Sequence, residues 1–280
     1  MLLSSIPVTL SLAHATLLDL TTAELIRVAA ATGYDAVGLR LIPMGRPGEP
    51  RYGIDEHPSY RGEIRRALDE TGVRFLDIEV IQIAEGLDPR AYLPAMESAA
   101  ELGCRFALVN VYTPNCAAAH DDLATLCDLA KPLGLTMALE FVSFSNLPTL
   151  AETIEMVDAC GRENAAVLID TLHLHSSREP LGGLARLPAD RVRYVHVCDA
   201  PGVVPAAPDD RRRIAREERL FPGEGGIDLA GMLRGLPADV VYAVEVQNPA
   251  RAAALGAEGY ARLAFETTAR YLRTHGPAAR

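Results

Sequence analysis

TMALE (136–140), AVLID (166–170), VRYVH (192–196) and VVYAVE (240–245) are four apolar runs, and each ends on an ionisable residue: Glu140, Asp170, His196 and Glu245. A buried strand does not normally carry such a residue at its tip, because desolvating it costs several kcal/mol unless it is paired or ligated. Four such tips in succession point to one shared site. If the runs are parallel strands lying side by side in a barrel, their carboxyl ends converge on one rim, the face where active sites of that architecture sit.

Working outward, one punctuation recurs: a helical pattern, a glycine, a short gap, then an apolar run. It appears in ATGYDAVGL at Gly33, ETGVRFLDIEV at Gly72, ELGCRFALVN at Gly103 and PLGLTMALE at Gly134, with spacings of 39, 31 and 31 residues. Each spacing accommodates one strand and one crossover helix, with glycine as the left-handed residue that closes the helix. Later units use a second connector, seen in LPADRVRYVHV from Leu187 and LPADVVYAVEV from Leu236. The strands fall at 6–12, 36–41, 74–80, 106–111, 135–141, 165–170, 192–198 and 240–246. Eight is the closure number of the (β/α)8 TIM barrel, and 280 residues suit one α/β barrel domain over 1–280. Between the strands lie amphipathic patterns such as TTAELIRVAAATG, where Thr22 is the expected cap, and the segment from Gly256 to Thr274 reads as the closing helix.

The balance of 27 Lys+Arg against 37 Asp+Glu gives a formal charge of -10, which repels phosphate backbones and argues against a nucleic-acid partner. No run approaches the length of a membrane span. The start, MLLSSIPVTLSLAHATLL, has no basic n-region and is punctuated by Ser, Pro, Thr and His, so it reads as a first strand rather than a secretory signal. Five cysteines without a C-x-x-C pair fit reduced thiols and a cytoplasmic location.

Three carboxylates and one imidazole suit Mn²⁺ first, with Mg²⁺, Co²⁺ and Zn²⁺ also compatible; copper and iron–sulfur are not. A divalent ion in such a site polarises a substrate carbonyl and stabilises the enediolate formed when the adjacent C–H is deprotonated. Glu140 and Glu245 are the candidate acid/base pair, each able to ligate through one oxygen and serve the substrate with the other. The bland alternative is that they anchor metal or are paired core charges. His173, three residues beyond Asp170, is expected on a strand leading into a loop, where it can donate to a substrate oxygen. His175 has no such placement. Asp199, three beyond His196, can orient that imidazole or hold the following loop. Arg219, ahead of the PGEG turn, is the candidate for binding substrate hydroxyls or a phosphate, against the reading of a solvated charge in RRRIAREERL. His14 and Glu79 end strands on the same rim. Two long connections, 43–58 and 199–227, would lie over that rim as binding loops.

These motifs resemble the xylose-isomerase-like superfamily, the sugar isomerase and epimerase barrels that share their fold with the apurinic endonuclease family. The resemblance rests on Glu140 in ALEF, Asp170 and His173 in D-x-x-H, His196 and Asp199 in H-V-x-D, PGEGGID from Pro222, and Glu245 in VEVQ. It implies metal ligands at Glu140, Asp170, His196 and Glu245, an acid/base pair at Glu140 and Glu245, and substrate contacts at His173 and Arg219. The implied activity is metal-dependent isomerisation or epimerisation of a small carbohydrate or polyol-derived substrate. Dehydration of an inosose or dehydroshikimate by similar ligands, and a non-catalytic sugar-binding barrel, remain as alternatives. Homo-oligomers are common in this superfamily. The endonuclease branch fits less well, since its three-metal cluster needs histidines that the early strands here do not supply.

Overall fold

Eight parallel strands close in sequence order in the computed structural model, which describes residues 9–44, 49, 50, 52, 54 and 58–276. They are β1 (Leu10–Leu12), β2 (Ala36–Arg40), β3 (Arg74–Ile83), β4 (Phe106–Val111), β5 (Thr136–Glu140), β6 (Ala165–Asp170), β7 (Tyr194–Val197) and β8 (Val241–Val244), with β1 paired to both β2 and β8. The expected (β/α)8 TIM barrel is therefore the observed fold. The expected first strand of 6–12 is described only from residue 9, and its earlier part lies outside the described residues. The strands run shorter than the apolar stretches at β1, β7 and β8, where the ladder ends before the hydrophobic pattern does, and longer at β3.

Two apolar layers hold the barrel. A small cluster drawn from strand residues, including Leu76, Leu108, Leu168 and Tyr194, fills the interior, whereas the alternate positions Val37, Val109, Leu139, Ile169 and Val195 pack outward under the helices. The glycine punctuation behaves as read: Gly33, Gly72, Gly103 and Gly134 all take positive φ, from 71° to 98°. The first helix, Thr22–Thr32, is capped by Thr21 rather than Thr22. Thr21 and Glu24 exchange side-chain and backbone hydrogen bonds in a capping box, which the T-T-A-E spacing satisfies only from the first threonine. The closing helix runs from Ala257 to His275. Among the described residues, no helix is long and apolar enough to cross a membrane.

The pleat is interrupted on one side of the barrel. The β2–β3 register shifts between Val37 and Gly38, and the β3–β4 register between Ile78 and Ile81. These irregularities let Asp77 and Glu79 crowd against Gly38, where a Cβ would stand 2.5 Å from Glu79 Oε1 and 2.7 Å from Asp77 Oδ1. Gly38→Ala is accordingly expected to cost about 1–3 kcal/mol through overpacking of buried, hydrogen-bonded carboxylates. Urea denaturation checks this, and an unchanged midpoint would show that the two acids can move aside.

Candidate metal centre and active site

The four sequence-singled residues meet. Glu140 ends β5, Asp170 ends β6, His196 lies in β7 and Glu245 follows β8 directly, and all four are buried. Asp170 and His196 are register partners across β6 and β7, so the ladder itself sets them side by side. One ligand atom from each residue lies within 4.8 Å of the others. His196 Nδ1 stands 3.1 Å from Glu140 Oε1 and 3.3 Å from Glu245 Oε2.

Arg219 is part of this cluster. It leaves the long 199–227 connection just after the helix Pro208–Glu217 and plunges inward, only 3% exposed. Its Nη1 donates to Asp170 Oδ2 at 2.7 Å, and its Nη2 lies 2.8 Å from Glu245 Oε2. The reading of a solvated charge is thus incorrect for this member of the RRRIAREERL run. Its chain is held by Nε donating to the carbonyl of Ala215 at 2.8 Å.

Electrostatics follow from three acids sharing one guanidinium and one imidazole. Burial opposes charge on His196, but the Glu245 and Glu140 carboxylates override it and raise its pKa well above the ordinary value. Burial likewise opposes charge on Glu245, yet Arg219 and His196 hold that carboxyl well below its usual range. Burial pushes Asp170 upward against the pull of Arg219, so Glu245 keeps the stronger claim on the shared cation. His196 Nε2 is buried and has no hydrogen-bond partner among the described residues. A compact set of three carboxylates and an imidazole with an orphaned ring nitrogen fits a divalent cation, and these are the residues that would hold it.

His173 is brought to the same cavity, but by a helix rather than a strand extension. Asp170 Oδ1 accepts from the backbone N–H of Leu172 at 2.7 Å and of His173 at 3.1 Å, so the carboxylate caps the helix Thr171–Ser177 and starts it at once. The His173 Nδ1 lies 3.3 Å from Ser143 Oγ, and burial lowers the ring's pKa, which keeps it neutral. Asp199 holds the loop. Its Oδ2 accepts from Gly223 and Gly225 at 3.0 Å each, and its Oδ1 accepts from Ala200 at 2.8 Å and Ile227 at 3.1 Å.

His14 is structural. Its Nδ1 accepts from the Arg40 N–H at 3.0 Å, which leaves Nε2 to donate to the Leu20 carbonyl at 3.0 Å, and burial lowers its pKa to about 3. Glu79 lines the cavity with both oxygens engaged by backbone, from His14 N–H at 2.7 Å and Ala15 N–H at 3.0 Å. Most of the 43–58 connection lies outside the described residues.

Sequence reasoning missed Asn110. It sits near the end of β4 and donates from Nδ2 to Glu140 Oε2 at 2.9 Å, fixing the oxygen that His196 does not take. The signal was the terminal N of ELGCRFALVN, a polar residue where the other tips carry ionisable groups. The cavity before the cluster has a volume of about 80 Å³ and is walled by Glu79, Asn110, Glu140, His173, Arg219 and Glu245, among others.

The fold is a closed eight-stranded α/β barrel whose carboxyl rim carries a Glu-Asp-His-Glu cluster able to hold a divalent ion. The xylose isomerase-like TIM barrel family model matches residues 26–264, and the chain belongs to that family. It is 31% identical over 151 residues to an inosose isomerase of Bacillus velezensis, a stretch covering 52% of this chain and 51% of that protein. It is also 31% identical over 114 residues to a 3-dehydroshikimate dehydratase of Pseudomonas aeruginosa, covering 40% of this chain and 17% of that protein. The chain thus spans about half or less of the length of these curated relatives. The solved IOLI protein, which carries a bound zinc atom, superposes with a TM-score of 0.76 at 21% identity over 95% of this chain and 99% of that one.

Proposed function

We propose that the chain is a divalent-metal-dependent isomerase or epimerase of a sugar or keto-sugar, with Mn²⁺ as the preferred ion. The observation that carries this reading is that two glutamates from different strands, Glu140 and Glu245, approach one imidazole at 3.1 and 3.3 Å and line one cavity. When bound by Glu140, Asp170, His196 and Glu245, a divalent ion would withdraw electron density from a substrate carbonyl and make the neighbouring C–H more acidic. The chain's own groups do the rest. One of the two glutamates removes the proton and the other returns one. Asn110 orients Glu140, and the neutral His173 ring donates to a substrate oxygen on which charge develops. Arg219 contributes a fixed positive charge, held in place by Asp170, beside the reacting atoms.

The test is incubation of candidate ketoses, keto-cyclitols and their carboxylated counterparts with the Mn²⁺-loaded protein in deuterated water. Exchange is expected at the carbon next to the carbonyl, and its absence across the panel would overturn the proposal. Dehydration is the second reading, favoured by the similarity to a 3-dehydroshikimate dehydratase. It would reveal itself as a new conjugated absorbance, which isomerisation does not create. A barrel that only binds would gain thermal stability from ligand without either signal.

Metal binding should release a proton. In the metal-free cluster the carboxylates keep His196 protonated above the ordinary imidazole range, and a ligating imidazole must be neutral. Metal affinity is therefore expected to fall as pH falls and to keep rising through neutral pH. Calorimetric metal titration in two buffers of different ionisation enthalpy should count about one proton released per ion bound. An affinity independent of pH between 6 and about 8 would contradict the protonation assignment.

A further inference from the structure

The rim has a second half that the proposed chemistry does not use. The ligand set comes from β5 to β8, whereas on the other side of the barrel β2 ends on Arg40, whose register partner in the longer β3 is Glu79. In an eight-stranded closed barrel β2 lies opposite β6, so Arg40 stands across the mouth from Asp170. Arg40 is 5% exposed and lines the same cavity as Glu140 and Glu245. Its Nε and Nη1 are buried and have no hydrogen-bond acceptor among the described residues. Glu79 supplies a counter-charge but no hydrogen bond, since its Oε2 is 4.0 Å from Arg40 Nε and both of its oxygens are already taken by backbone N–H groups. A buried guanidinium with idle donors facing a cavity is costly unless something the cavity receives completes it.

We propose that Arg40 is a specificity-determining residue that receives a carboxylate at the end of the substrate remote from the metal cluster, so that the substrate class is a carboxylated polyol or keto-acid. Resting on the function proposed above, this names the kind of molecule on which that site acts. Charge selects the anion over a neutral hydroxyl. Arg40 and Glu79 cancel, and Arg219 with a divalent ion would offset Glu140, Asp170 and Glu245. Arg216 remains, lining the same cavity beside the Phe144 ring at 5.9 Å, with no ion pair among the described residues. Its exposed guanidinium adds positive potential at the mouth, which favours an anion. A carboxylate carries the charge and the acceptor-only oxygens that suit the guanidinium fork, whereas a hydroxyl that accepts from Arg40 is neutral and must still place its own proton on another group.

The probes are shikimate, a carboxylated cyclic triol, and its methyl ester, the same skeleton without the charge. Calorimetric titration of the Mn²⁺-loaded protein should show the acid binding about ten-fold or more tightly than the ester. The preference should persist in chelator-treated protein, because a carboxylate drawn to the ion would lose it there. In Arg40→Gln it should shrink to about two-fold or less, and Arg40→Lys should restore part of it through a point charge without the fork. Mn²⁺ affinity and melting temperature of both variants show whether the cluster and fold are intact. Equal binding of acid and ester, a preference that vanishes without metal or survives Arg40→Gln, or no binding of either probe would overturn the proposal. Failure of deuterium exchange with the acid preference present would instead strike the proposed reaction and leave the carboxylate site standing.

Discussion

Glu245→Gln, saturated with Mn²⁺, should lose about 10²- to 10⁴-fold in net interconversion of substrate, the range expected when a positioned proton-transfer group is removed. The amide keeps the shape of the side chain and an oxygen that can still ligate, but it cannot carry a proton at neutral pH. Glu140→Gln should do the same, with a difference that identifies the pair. If each glutamate serves one of the two stereochemical directions, one variant retains deuterium wash-in from one epimer and the other variant from its partner, while neither completes the conversion. Mass spectrometry of each epimer incubated separately reads this directly. Metal-saturated variants that turn over within about ten-fold of the parent would reduce both residues to ligands and sink the acid/base assignment.

Arg219→Met should lower the stability of the metal-free protein by about 3–5 kcal/mol, because it removes the guanidinium that pairs with Asp170 and Glu245 and leaves buried carboxylates uncompensated. Asp170 Oδ2 and Glu245 Oε2 lie 2.7 and 2.8 Å from its terminal nitrogens, and the residues involved are all nearly inaccessible to solvent. Divalent metal should recover more stability in the variant than in the parent, since the ion supplies positive charge where the arginine did. Urea denaturation with and without Mn²⁺ checks both statements. A metal-free variant as stable as the parent would mean that the acids are neutralised by protonation instead.

The four-residue cluster was legible because its chemistry contradicts its setting. TMALE, AVLID, VRYVH and VVYAVE are too apolar to expose and end on groups too polar to bury alone, and in a parallel barrel that contradiction has one resolution. Arg40 and Asn110 end comparable runs, AVGLR and FALVN, yet a lone arginine or asparagine beside a loop is unremarkable in a sequence. Alternation carries both inward, Arg40 with Ala36 and Asn110 with Leu108, but an apolar run buried on both faces does not reveal which alternate set faces the interior. Alternation does not reach His173, placed by a helix that Asp170 caps immediately after β6. For Arg219, a run of charges gave no indication of which member turns inward. That depends on the path of the 199–227 connection, in which the consecutive Glu217 and Glu218 stay exposed and the next residue, Arg219, is buried.

Three of the amide hydrogen bonds gathered by Asp199, from Gly223, Gly225 and Ile227, join the two ends of that connection, and an antiparallel bridge from Asp199 to Leu220 fastens the same junction. The excursion between them, in which Val203 is 82% exposed, is therefore a closed circuit sewn shut at its base. Residues added or deleted beyond the exposed Val203 should alter the outer path of the circuit without moving the base, where Gly202 packs on Gly226 and Arg219 enters the barrel. The connection is built as an exchangeable cassette: its length can be redesigned for a bulkier or smaller molecule while the cation beneath it stays moored.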